Sequence, residues 1–205
     1  MLRNLLLQLV RAPVEALRSR RERQVSPALE SALARFEEEK YADAVEACRA
    51  VIAQAPRSAR AHRLCGRALL ALDRHDEAVL HLRTAVAADP GLAETHAELA
   101  AALLRTGDLA NAEASCRQAV VLRSGELAHR LLLVEILEAA NRPGDALAEL
   151  SVAQELAPER YDLLVRLFRE VSRLGMHAEA LHIAERAMLD NGESLETLYL
   201  LATAR

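Results

Sequence analysis

Five short phrases decide the reading of this chain: YADAVEAC at 41–48, HDEAVLHL at 75–82, LANAEASC at 109–116, PGDALAEL at 143–150 and HAEALHIA at 177–184. Each starts 34 residues after the last, and each holds an alanine at the same place: Ala44, Ala78, Ala112, Ala146 and Ala180. Seven residues further on stand Val51, Ala85, Ala119, Ala153 and Ala187, and twelve further on stand Pro56, Pro90, Ser124, Pro158 and Gly192. A fixed period of this length marks a repeat architecture, whose units bury their apolar faces only against their neighbours. Five repeats run without insertion (25–58, 59–92, 93–126, 127–160 and 161–194), and 195–205 begins a partial sixth.

Within each repeat an amphipathic stretch, helix A, is followed by a breaker, a second stretch, helix B, and a second breaker. The mid-repeat breakers are Glu39, Asp73, Gly107, Asn141 and Gly175. Gly, Asn and Asp tolerate the left-handed conformation that ends a helix; Glu39 is the odd one out. The proline column ends helix B, because proline removes a donor and clashes with the preceding turn. The composition agrees: 52% of residues are hydrophobic but only 2% aromatic. A core of Ala and Leu, the strongest helix formers, predicts an all-α fold.

The pattern resembles the tetratricopeptide repeat, whose 34 residues read Trp-x2-Leu-Gly-x2-Tyr, then Ala-x3-Phe, then Pro. Counting positions 1–34 in each repeat, position 7 is Ser31, Cys65, Leu99, Leu133, Leu167 and Leu201. Position 8 is Ala32, Gly66, Ala100, Val134, Phe168 and Ala202. The resemblance covers everything after residue 24 and implies a right-handed superhelical α-solenoid of helix hairpins. The sequence departs from the family at the tryptophan position, which holds Ala28, His62, His96, Arg130, Leu164 and Leu198. Arg130 there must snorkel or find a carboxylate. Phe168, large where the pattern is small, predicts wider spacing of the two helices of repeat five.

The resemblance also implies where a ligand would sit. Helix A positions 2, 5, 6, 9, 12 and 13 line the inner face in this family. Here they place Arg60, Arg63 and Arg67 in repeat two, and Arg166, Arg169 and Arg173 in repeat five. Glu94 and Glu98, then Glu135 and Glu138, lie between, with Leu70, Leu104, Leu131 and Leu132 as an apolar floor. A groove banded basic, acidic, basic would combine affinity with orientation of a partner segment. The plainer reading is a set of solvated charged helix faces. The lysine–asparagine clamp that some relatives use for a C-terminal carboxylate is not matched, since no Asn accompanies Arg63 and Arg67 and Glu98 would repel the ligand.

Charge is unevenly distributed. The net charge is −4, yet residues 1–24 hold six arginines against Glu15 and Glu22, leaving a basic tail of +4 on a body of −8. An acidic body argues against nucleic acid as its ligand. Lys40 is the only lysine beside 25 arginines, which reads as genomic GC bias and points to a bacterial source. Cys48, Cys65 and Cys116 offer no disulfide framework or CxxC motif, so reduced thiols in a cytoplasmic core are expected.

At the N-terminus, Leu2, Leu5, Leu6, Leu9 and Val10 form an apolar stripe among the arginines. The run is too short to span a membrane and is closed by Arg11. Three roles compete for 1–24: a cap over the first repeat, self-association, or contact of 1–23 with an anionic membrane surface. Ser26 and Pro27 read as N-cap and first residue of repeat one. At the other end LETLYLLATAR keeps an apolar face, which implies self-association or a chain continuing past Arg205.

Catalytic signatures are scarce. His62 and Cys65 share a helix face and His96 repeats one period later, but equivalent helices stand roughly 8–10 Å apart, too far to share a metal unaided. Polar side chains filling the ring position is the simpler reading. His75 and His177 fall at the mid-repeat turn, where exposure explains them. Neither a phosphate loop nor a GxSxG or HExxH motif is present. The expectation is a protein–protein interaction scaffold, not an enzyme, without cofactor or metal. The alternatives are the substrate-recruiting repeat region of a larger glycosyltransferase- or sulfotransferase-like enzyme, and a membrane-peripheral scaffold tethered by 1–23.

Overall fold

The computed structural model describes residues 27–191; the expectations for residues 1–24, for Ser26 and for the partial sixth repeat lie outside them. Among the described residues all regular structure is α-helical. Helix α1 spans 27–37, followed by α2 Tyr41–Gln54, α3 Ala59–Ala71, α4 His75–Ala88 and α5 Ala93–Thr106. Then come α6 Leu109–Leu122, α7 Leu127–Ala139, α8 Pro143–Leu156, α9 Tyr161–Arg173 and α10 His177–Asn191. Odd-numbered helices are A helices and even-numbered ones B helices. The chain divides between Thr106 and Gly107 into two compact units, α1–α5 and α6–α10.

The backbone repeats as faithfully as the sequence. Asp73, Asn141, Gly107 and Gly175 all have positive φ, and so does Glu39, at 59°. The glutamate therefore does what its equivalents do, against its own preference. In four of the five turns the same bonds close the A helix. Lys40, Arg74, Arg142 and Met176 donate their N–H groups to Arg35, Leu69, Leu137 and Val171, at 2.9 Å each. These six-to-one bonds satisfy carbonyls that a helix end leaves orphaned. The B helices stop two residues before the proline column, at Gln54, Ala88, Leu122 and Leu156. Arg123 adopts φ −140°, ψ 78°, much like Ala55 at −132°, 77°, although Ser124 replaces the proline after it. Repeat context thus sets this turn even where proline is missing.

The alanine column is the core. Ala44, Ala78, Ala112 and Ala146 are 0% exposed and Ala180 is 1% exposed. Position 8 of helix A meets position 24 of helix B, and in repeats two and five their sizes compensate. In repeat two, Gly66 lies under Leu82, where a Cβ on Gly66 would stand 2.5 Å from Leu82 Cγ. In repeat five Phe168 forms one buried cluster with Ala180, Ala184 and Ala187, so the facing helix supplies small residues where the A helix supplies a ring.

Candidate partner-binding faces

The ring position shows why His62, His96 and Arg130 stand where the family pattern has tryptophan. After α2, α4, α6 and α8 a donor side chain meets the carbonyl at position 32. His62 Nε2 donates to Pro56 O at 3.1 Å, His96 Nε2 to Pro90 O at 3.0 Å, and Arg130 Nε to Ser124 O at 3.3 Å. In repeat five Leu164 cannot donate, and Gln154 Nε2 of α8 bonds Pro158 O instead, at 3.3 Å. Carbonyls after a helix end are left without an intrahelical partner, and this column provides one without an indole. Arg130 also finds a carboxylate, Glu149, at 2.8 Å.

His62 has a second partner that the sequence pattern did not reveal. Its Nδ1 lies 3.0 Å from Nδ1 of His81 on α4. Because a carbonyl can only accept, the His62 hydrogen sits on Nε2, and Nδ1–H of His81 donates to His62 Nδ1. Burial holds the His81 pKa below the usual histidine value, helped by repulsion from His62 and Arg49 and opposed by Glu77. His96 and Cys65, the residues grouped with His62 by spacing, make no bond to it. His177 is exposed as expected, whereas His75 is half-buried. Among the described residues no group of three or more His, Cys, Asp and Glu side chains is placed to hold a metal ion. The three thiols are buried, which pushes Cys48 and Cys116 up to about 12 and Cys65 to about 11. They are protonated and unreactive at neutral pH.

The charged helix-A residues sort into paired and unpaired sets. In the first unit Arg63 grips Glu98 with two bonds, Nε to Oε2 and Nη2 to Oε1, both 2.8 Å. Arg67 lies 3.5 Å from the same carboxylate and 4.6 Å from the centroid of the Phe36 ring. These contacts staple α5 to α3 and α3 to α1. In the second unit Arg166 donates to Glu138 at 2.8 Å, joining α9 to α7, and Arg173 holds Glu170 within α9. Acidic and basic bands therefore neutralise one another across neighbouring repeats. Arg60 and Arg169 are exposed and make no such pair among the described residues. Leu70 and Leu104 in the first unit, and Leu131 and Leu132 in the second, are half-buried; Glu94 is half-buried and Glu135 exposed. No helix of the described residues is long and apolar enough to cross a membrane.

Comparison with known proteins agrees with this geometry. Residues 29–93 match the family model of the tetratricopeptide repeat. No curated protein sequence matches the chain. Among solved structures, YrrB, described as a tetratricopeptide-repeat protein with an unusual peptide-binding site, superposes with TM-score 0.71 at 16% identity, covering 84% of this chain and 89% of its own. MamA gives TM-score 0.74 at 14% identity, over 81% and 91%. The pilF protein of Pseudomonas aeruginosa gives 0.67 at 15%, over 88% and 82%. Identities this low speak for the fold alone. The described residues thus have the fold of tetratricopeptide-repeat solenoids, and 29–93 match the family model of that repeat.

Proposed function

We propose that the chain is an interaction scaffold that binds a segment of another protein on the helix-A faces of its repeats. The supporting observation is the division of the arginines. Arg63, Arg67, Arg166 and Arg173 have carboxylates of their own, whereas Arg60 and Arg169 are exposed and unpaired among the described residues. Exposed guanidinium groups and half-buried leucines on helix-A faces suit an extended or helical segment with an acidic group and apolar anchors. YrrB, which shares the fold, is described as having a peptide-binding site, and the same ligand class fits here.

The experiment is affinity capture from the source organism's lysate with the full chain beside Arg60→Glu/Arg169→Glu. Reversing Arg63 or Arg166 would also break staples between repeats, so loss of binding there would not separate recognition from folding. A partner held by the parent and lost by the folded variant supports the reading. Equal capture by both overturns the assignment of the face.

A further inference from the structure

On the surface between neighbouring B helices, repeats two and five differ in one instructive way. Position 19 of repeat two is Glu77, held by Arg74 from position 16 at 2.7 and 2.8 Å, and by Arg49 from position 25 of repeat one at 3.1 Å. Repeat four keeps the first pairing, with Arg142 donating to Asp145 at 2.6 Å. Repeat five keeps the acid, Glu179, and lacks both cations: position 16 is Met176 and position 25 of the preceding repeat is Ser151. Glu179 is exposed and makes no ion pair among the described residues. Where the arginines would lie, a groove of about 480 Å³ opens between α8 and α10. Leu167 and Val171 of α9 form its floor, and Leu147, Met176 and Ile183 line it. It shares no residue with the helix-A faces described above.

We propose that this groove receives the basic amphipathic segment 1–23 of a second copy of the chain, with leucines on the apolar floor and an arginine at Glu179. The sequence supports this occupant on three counts. Leu2, Leu5, Leu6 and Leu9 recur at the spacing by which a helix anchors in an apolar groove. The segment supplies the cation type that the equivalent acid binds in repeat two. Its charge is also complementary: residues 1–24 carry +4, whereas 107–191, with nine arginines against 14 acidic residues, carry −5. Segment and groove are different surfaces, so the contact is head-to-tail and association grows beyond a dimer or closes a ring.

The test is sedimentation velocity of the full chain across a wide concentration range. The expected result is mass that rises with concentration, with association weakened about tenfold or more, some 1.4 kcal/mol, by Leu5→Asp/Leu6→Asp and separately by Ser151→Arg/Met176→Arg. The second variant supplies the arginines of repeat two but takes Met176 from the edge of the repeat-five core, so its helical circular dichroism must match the parent's at the assay temperature, which separates lost docking from lost folding. A chain that stays monomeric overturns the proposal, whether or not it co-sediments with anionic vesicles. So does association that Leu5→Asp/Leu6→Asp removes and Ser151→Arg/Met176→Arg leaves intact, because the segment would then dock elsewhere.

Discussion

Replacing Gly66 by alanine tests the packing of position 8 against position 24 that holds the hairpin of repeat two together. A helix-interior glycine normally invites this change, because alanine is favoured by about 0.8–1.0 kcal/mol. Here the new Cβ would lie 2.5 Å from Leu82 Cγ, 2.8 Å from Cδ2 and 3.3 Å from Cδ1. The closest atom is the branch carbon, so rotating a methyl aside does not relieve the clash. Leu82 is 0% exposed, so the side chain must leave its rotamer or the helices must part. Overpacking of this kind costs about 1–3 kcal/mol. The net expectation for Gly66→Ala is a loss of between about 0 and 2 kcal/mol. Leu82→Ala alone opens a cavity and costs about 2–5 kcal/mol. In that background the clash is gone and Gly66→Ala should stabilise by its full helix gain. The two sites are therefore coupled by about 1–3 kcal/mol. The pair Gly66→Ala/Leu82→Cys would transplant the Ala32 and Cys48 combination of repeat one, both 0% exposed, and should recover part of the loss. Guanidinium denaturation followed by helical circular dichroism gives the four corners of the cycle. Repeat arrays can lose two-state behaviour, so midpoints and slopes are compared together. If Gly66→Ala stabilises equally with Leu82 present or absent, the size-compensation argument is wrong.

Two further perturbations follow from the same geometry. Glu39 holds φ 59°, a conformation costing an L-residue about 1–2 kcal/mol. Glu39→Gly should therefore raise stability by a few tenths to about 1 kcal/mol after glycine's extra chain entropy, and a lower melting midpoint would contradict that. The pH dependence of unfolding should report His81. Its folded pKa is lowered, so the unfolded chain binds the proton more readily and stability is full above the free histidine value. Stability then falls as the pH drops from about 6.5 toward the folded value. His81→Gln should flatten that part of the profile; an unchanged slope would show that the His62–His81 contact does not set it.

Much of the backbone was legible because it is made by local chemistry repeated five times. Breakers at 39, 73, 107, 141 and 175 mark left-handed residues, and the alanine column marks close helix approach. Glu39 was the exception by residue type; its φ follows from the repeat geometry on either side. The candidate faces were half legible. Spacing placed Arg63 and Arg166 on helix A, but their partners Glu98 and Glu138 are 35 and 28 residues away. Spacing also grouped His62 with Cys65 and His96, whereas its bonded partner is His81, 19 residues on in the B helix. No local signal marks that pairing, although the register of positions 4 and 23 in repeat two contains it.

By itself, then, the sequence determined the fold: a 34-residue period carries its own helix starts, stops and small contact residues, and these act over a few bonds. Tertiary structure decided the use of the charges and rings. Whether an arginine faces solvent or a neighbour depends on which residue the adjacent helix brings within 3 Å, and that varies from repeat to repeat. Glu77 and Glu179 occupy the same position, yet one is held by two guanidinium groups and the other stands at the edge of an open groove. The reason is physical: backbone periodicity is a sum of local preferences, whereas an ion pair or a packed ring is a contact between two variable positions, fixed only when both are in place.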